Sequence, residues 1–231
     1  MARKLKIWAG LGMALAVLPT QASFVTPAAA ASVAGEAGET AAVAHADSSQ
    51  AEYIAALGLL EAYVQLADKL KSADAKKRAQ ELVVELTPNL TKHKTQITAV
   101  ALSKMSTTHH AIKIARGTGE DVAAHHMVMA VVQLLHRSSE EYLASDPSAK
   151  PGVLSGQQKA WGLVQAARSI MKDVTPAERA EHKAPLAEVD AALAKLDVLW
   201  PDLKSNRPSQ QDPHLLAAAA AKVEFAASAI P

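Results

Sequence analysis

Apolar residues recur at three- and four-residue steps along nearly the whole chain, and no segment alternates β-branched with polar residues. Aromatic residues make up only 3% of the sequence, whereas alanine is abundant. This pattern is typical of helices that pack side by side, and it excludes a sheet as the main architecture. We therefore predict an all-α fold, an antiparallel up-and-down bundle of about six to seven helices.

Capping residues, glycines and prolines divide this pattern into separate helices. The predicted helices span residues 51–71, 73–86, 90 or 95 to 116, 118 or 119 to 143, 153–172, 175–199 and 212–229. Pro88 is expected to stop the second helix, because the residue before proline avoids helical geometry. Thr118 and Asp121 have the spacing of a capping box at the start of the fourth. A bend is expected near Pro185 in the sixth.

Residues 1–31 have the features of a signal peptide. A basic start precedes an apolar stretch that ends at Pro19, and small residues follow, so cleavage is expected between residues 23 and 32. A retained anchor is the alternative, but the apolar stretch is short for a bilayer. Segment 32–50 lacks periodicity and predicts a flexible tether. Residues 51–231 then form a single helical bundle domain in a periplasmic or secreted protein.

Charge and motif content exclude several classes of function. The signal segment holds Arg3, Lys4 and Lys6 and no acid, so the rest of the chain is close to neutral although the whole carries +1. Without a basic patch, no nucleic-acid partner is expected, and no membrane span is expected after cleavage. The absence of cysteine excludes disulfides and zinc–thiolate sites. No hydrolase, zinc-protease, phosphate-loop or dinucleotide motif occurs, so we predict no enzyme.

Four short runs are spread over most of the predicted domain: AEYIAALGL at 51–59, EEY at 140–142, QKAWGLV at 158–164 and LWP at 199–201. Together they resemble a group of exported, all-helical bacterial proteins whose function is uncharacterised. The resemblance implies the fold and the compartment, and it implies no activity. Relatives carry a Gly-His dipeptide followed by His-x-x-His. This chain has Ala62-Tyr63 and no His-x-x-His, so no role of those histidines carries over.

Two histidine pairs are placed symmetrically about a glycine-containing turn at 116–120: His109-His110 before it and His125-His126 after it. If the turn joins antiparallel helices, His109 and His125 lie at the same height, roughly 12 Å from the turn. Met105 and Met129 are also level with each other. Each methionine is four residues from a histidine of its own helix, so the two share a face.

Such groups on facing helices predict a metal site. Imidazole binds copper, zinc and nickel, and thioether sulfur favours Cu(I), so a soft, copper-like ion is predicted, with zinc or nickel as alternatives. The predicted ligands are Met105, His109, His110, His125, His126 and Met129. A haem held by one methionine and one histidine suits these doubled, crowded groups less well. The protein is then a metal buffer or carrier.

A cofactor-free protein explains the same residues equally well. Methionine at core positions commonly fills space, and one ring of a His-His pair can be hydrogen-bonded in the core while the other meets water. The bundle is then an interaction or scaffold module with a protein partner in the cell envelope. The sequence leaves both interpretations open.

Overall fold

The computed structural model describes residues 36–92, 112–113, 116, 122–145, 154–203, 212 and 214–231, with side chains in the first range described for residues 50–86. It divides into two compact units, Met1–Ala41 and Ala42–Pro231, and the second contains every side chain discussed below. The predicted signal peptide and its cleavage site lie outside the described residues.

The fold is all-α, as the sequence predicts, and the described residues contain no strand. The α-helices are α1 (Glu36–Leu70), α2 (Ala73–Lys92), α3 (Ala124–Leu143), α4 (Gly156–Asp173), α5 (Pro176–Glu181), α6 (Lys183–Ala194) and α7 (His214–Ala227), and a 3-10 helix spans Lys195–Leu199. Ile112 and Lys113 are also helical and Arg116 lies in a turn, and most of the predicted third helix, with its end at Gly117, lies outside the described residues. None of the helices described is long and apolar enough to cross a membrane.

The first helix begins well before the predicted start at Ala51. Residues 36–50 are helical, although the sequence predicts a flexible tether there. The tether was predicted because this segment has no apolar periodicity. Apolar periodicity, however, indicates a buried helix face and not helical backbone as such. Alanine and glutamate favour helical backbone even without a buried face, so the helix extends toward the amino terminus. At its other end α1 stops at Leu70, and Lys71 adopts φ 54°, the left-handed conformation that commonly terminates helices.

The second helix continues through Pro88 to Lys92, so the predicted stop at Pro88 is wrong, and so is a following helix that starts at residue 90. Proline removes one backbone hydrogen bond and disfavours the helix, but it does not end a helix whose neighbouring turns favour it. Local chemistry alone therefore gave too strong a stop signal here.

The predicted sixth helix is interrupted at His182 rather than at Pro185. α5 ends at Glu181 and α6 begins at Lys183, which places Pro185 in the first turn of α6. A proline inside a continuous helix would clash with the carbonyl four residues earlier, whereas the first turn needs no amide hydrogen there. The interruption at His182 therefore lies three residues before Pro185.

The described side chains form two apolar cores, and the larger surrounds α3, which the sequence predicts to be central. α3 packs against α4 and α7, and α7 packs against α6. Val128, Val131 and Leu135 lie on its buried side at three- and four-residue steps. The smaller core lies between α1 and α2 and includes Ile112. Both cores are built mainly from alanine, leucine and valine.

Two glycines allow α1 to approach its neighbours closely. A Cβ on Gly162 of α4 would lie 2.7 Å from Cδ1 of Leu66 and 3.1 Å from the carbonyl oxygen of Ala62, both on α1. A Cβ on Gly58 of α1 would lie 2.7 Å from Leu134 Cδ1 of α3. At Gly162 the backbone of α1 itself is close, whereas at Gly58 the close atoms are the ends of side chains.

Candidate functional site

α3 begins at Ala124, later than the sequence predicts. Ala123 is extended, with φ −62° and ψ 146°, and offers no side-chain cap. Instead, the carboxylate of Glu178 in α5 accepts a hydrogen bond from the Ala124 amide at 3.2 Å. An anion from another element thus satisfies an amide at the helix start and complements the helix dipole. The predicted capping residues Thr118 and Asp121 lie outside the described residues, and they do not start this helix.

The late start places His125 and His126 in the first turn of α3, with Met129 one turn further. All three side chains are partly buried, and Met129 packs against the larger core. The two histidine rings meet edge to face, with centroids 6.0 Å apart and planes at 81°. We call these three residues the histidine face.

The ring of His125 is held by backbone from the other end of the domain. Its Nδ1 lies 2.9 Å from the carbonyl oxygen of Ile230. Because a carbonyl oxygen only accepts, Nδ1 must carry the proton, and in the neutral ring Nε2 then carries the lone pair. Ile230 is itself 2% exposed, so this acceptor is fixed by packing.

The opposite half of the predicted metal site, Met105, His109 and His110, lies outside the described residues. Within the ranges that the structure describes, no group of three or more histidine, aspartate or glutamate side chains could hold a metal ion. The structure therefore places three of the six predicted ligands, and the metal site itself remains a prediction.

An acidic side chain lies at the same end of α3, although no acidic residue was predicted there from the sequence. Oε2 of Glu178, the acceptor for Ala124, is also 3.8 Å from Nε2 of His182, whose side chain is 14% exposed. Glu178 follows Thr175 at capping-box spacing, and its amide donates to the Thr175 hydroxyl at 3.3 Å. That local signal predicts the start of α5. The contact with α3 joins distant parts of the chain, so no local pattern reports it.

A second polar site lies inside the protein, where α1, α4 and residue 116 meet. One terminal nitrogen of Arg116 donates to the carboxylate of Glu61, and the other donates to Asp173 at 2.7 Å and to Ser169 at 3.2 Å. Nζ of Lys113 lies 3.0 Å from the second carboxylate oxygen of Asp173. We call these five residues the ionic cluster.

The centre of the ionic cluster is almost completely buried. The side chains of Arg116, Glu61 and Asp173 are 2%, 4% and 7% exposed. Charges at this depth persist only when they are paired and hydrogen-bonded. From the sequence, Arg116 is expected only to be part of a turn. A glutamate inside the apolar run of α1 was the available signal for this site.

Tyr63 is a further buried ionisable residue on α1. Burial raises the pKa of its phenol above the ordinary value of 10.0, and Glu141 raises it further, while three cations lower it: Lys159, Arg137 and Arg78. Burial is the largest of these effects because the charged phenolate would lose its hydration. The hydroxyl of Tyr63 therefore stays neutral throughout the physiological pH range.

No protein-family model, curated protein or solved structure matches this chain significantly.

Proposed function

We propose that this protein is an exported helical bundle that binds a soft metal ion, Cu(I) or a similar ion, and acts as a buffer or carrier in the periplasm. The observation that carries the proposal is the hydrogen bond from His125 Nδ1 to the Ile230 carbonyl at 2.9 Å. The predicted signal peptide supports export, and the absence of cysteine excludes thiolate ligands, so the soft ligands that the chain offers are imidazole nitrogen and thioether sulfur.

The held ring of His125 has the arrangement that metal-binding histidines need. Such a histidine binds through one nitrogen while its other N–H donates to a carbonyl or a carboxylate, which fixes the tautomer and the ring orientation. Here the donor is Nδ1, so Nε2 is the nitrogen that would bind the ion. Met129, four residues later on the same side of α3, adds a thioether, which favours Cu(I) over harder ions.

The remaining ligands are expected from the helix that precedes the turn. Met105 and His109 are level with Met129 and His125 in an antiparallel pair, which gives two nitrogen and two sulfur ligands. His110 and His126 lie about 100° further round their helices than His109 and His125, and they complete the predicted set. Zinc or nickel would favour a carboxylate among the ligands. Among the described residues, Glu178 lies at this end of α3, and it already accepts the amide of Ala124. The ligand set therefore suits copper best.

The proposal is tested by anaerobic titration of the chain without its signal peptide, with Cu(I) and a competing chromogenic chelator. We expect one ion per chain. The double variant His109→Ala, His125→Ala should bind at least about a hundredfold more weakly, because it loses more than an outer partner, whose loss alone weakens binding up to about a hundredfold. His136→Ala is the matched control, since His136 lies on the same helix and is exposed. Equal affinity of the double variant and the control would end the proposal.

A cofactor-free interaction or scaffold role is the second candidate, and an exposed aromatic side chain favours it. Phe225 on α7 is 74% exposed and is the largest of the exposed apolar side chains among the described residues. A photo-crosslinking residue at position 225 should then capture a specific envelope protein in intact cells. Position 84 is the matched control, because Val84 of α2 is 73% exposed. Identical adducts from both positions would argue against this role.

A further inference from the structure

A single guanidinium group joins three segments of the chain that are distant in sequence. Arg116 lies just before the predicted glycine turn, and its two terminal nitrogens contact carboxylates on two different helices, Glu61 on α1 and Asp173 on α4. The outer oxygens of these carboxylates have their own partners: Gln65 donates to Glu61 at 3.2 Å, and Lys113 contacts Asp173. Both carboxylates are therefore held in place from the far side as well.

The ionic cluster is a poor way to gain stability. Replacing a buried ion pair with packed apolar side chains is commonly neutral or favourable, because two charges must be dehydrated to form the pair. The Nε–H of Arg116 is also buried and has no hydrogen-bond partner within the part of the chain that the structure describes. A buried polar network with an unsatisfied donor is less favourable than an apolar contact of the same shape.

The ionic cluster instead fixes the position of residue 116 relative to α1 and α4. A guanidinium is a flat fork, and two carboxylates on opposite prongs are both satisfied in one position of residue 116 only. An apolar side chain at that position would pack almost as well after a small shift along α1 or α4. Buried polar contacts select register in this way in coiled coils.

We propose that Arg116 is a positioning residue: its contacts with Glu61 and Asp173 lock the chain entering the predicted turn onto α1 and α4, and thereby set the register at which the preceding histidines face α3. The effect on the histidines rests on the proposed metal function. The effect of these contacts on the position of residue 116 does not, and it is measured separately.

The first test separates register from stability. Arg116→Ala should lower the melting temperature by roughly 10 °C, because it leaves two buried carboxylates unpaired. The triple variant Glu61→Leu, Arg116→Met, Asp173→Leu removes all three charges and should recover most of this loss. Amide exchange at residues 112, 113 and 116 should nevertheless be about tenfold faster in the triple variant than in the natural protein. Exchange at the natural rate in the triple variant would overturn the lock.

Chemical rescue tests whether the guanidinium itself is required. Guanidinium ion at about 20 mM, too dilute to denature, should raise the melting temperature of Arg116→Ala, and sodium chloride at equal concentration should not. Arg116→Lys should not restore stability, because one ammonium cannot bridge both carboxylates in this geometry. Arg168→Ala is the matched control: that arginine contacts Asp197, whose side chain is 70% exposed. Equal rescue of Arg168→Ala would show that guanidinium stabilises the protein non-specifically and does not replace the Arg116 side chain.

The last readout joins the lock to the metal. In the triple variant, residue 116 no longer fixes the register of the preceding histidines. This variant should bind Cu(I) about tenfold or more weakly than the natural protein, an effect comparable to the loss of a group that orients a metal ligand. Natural affinity in a variant with fast exchange would show that the lock does not position the histidines. If the natural protein binds no Cu(I), the proposed function fails, and the exchange and rescue results still decide the lock.

Discussion

The histidine face of α3 and the ionic cluster around Arg116 are both polar sites in an otherwise alanine-rich bundle, but they are built differently. The histidine face comes from one helix, with neighbours in sequence and spacing of one turn, and its exposure is intermediate. The ionic cluster joins α1, α4 and the segment at 112–116, and its three central side chains are less than 10% exposed. The first keeps imidazole and thioether groups partly exposed, whereas the charges of the second are already paired within the protein.

The difference in burial predicts the largest effect on stability. Asp173→Ala should lower the free energy of unfolding by about 3 kcal/mol, because it leaves the buried guanidinium with one carboxylate. Asp190→Ala is the matched control, since Asp190 also binds an arginine, Arg179, and its side chain is 47% exposed. The control should lose less than about 1 kcal/mol. Urea unfolding of both variants measures the contrast, and equal losses would remove the distinction between the two kinds of ion pair.

The all-α fold and the central position of α3 follow from periodicity, because burial of one helix face requires apolar residues at three- and four-residue steps. Helix ends were predicted less well. The stop at Pro88 was wrong, and the helix that was expected to bend near Pro185 is instead interrupted at His182. Local chemistry gives only a preference, and packing decides. The histidine face could be named because His125 and Met129 are close in sequence. Glu61 and Asp173 could not be paired with Arg116, because no local pattern connects residues on three separate segments.

The histidine face should respond strongly in metal affinity and weakly in stability. A chain ended after Ala229 loses the Ile230 carbonyl that orients His125, and its affinity for Cu(I) should fall about 10–100-fold, as for other outer partners of metal ligands. Ile230→Ala is the control for packing, because it removes the buried side chain and keeps the carbonyl. Affinity that falls equally in both would mean that packing, and not the hydrogen bond, supports His125.

The glycines of α1 and α4 test whether close packing or charge holds these helices together. Gly162→Ala should destabilise by about 1 kcal/mol, because overpacking against the Ala62 carbonyl and Leu66 outweighs the helix preference of alanine. Gly58→Ala should be nearly neutral, since its new Cβ meets only the ends of the Leu134 and Ile170 side chains. Thermal unfolding compares them. A loss at Gly162 larger than that of Asp173→Ala would make packing the dominant contact.

Tyr63 should give the smallest effect, visible only at alkaline pH. Its folded-state pKa lies above the unfolded value of 10.0, so its contribution to stability is complete below that pH and is lost as pH rises through the folded-state pKa. Tyr63→Phe should therefore lose less stability than the natural protein between about pH 9 and about pH 11. Urea unfolding at both pH values measures this difference. Parallel losses would place the phenol in a hydrated environment.

The metal proposal is tested most directly by X-ray absorption spectroscopy of the chain without its signal peptide, loaded with one equivalent of Cu(I). Nitrogen from imidazole and sulfur from thioether should both appear in the first coordination shell, and the sulfur signal should weaken in Met129→Leu. A shell that contains only nitrogen or oxygen, or that is unchanged in Met129→Leu, would contradict a copper site on the histidine face.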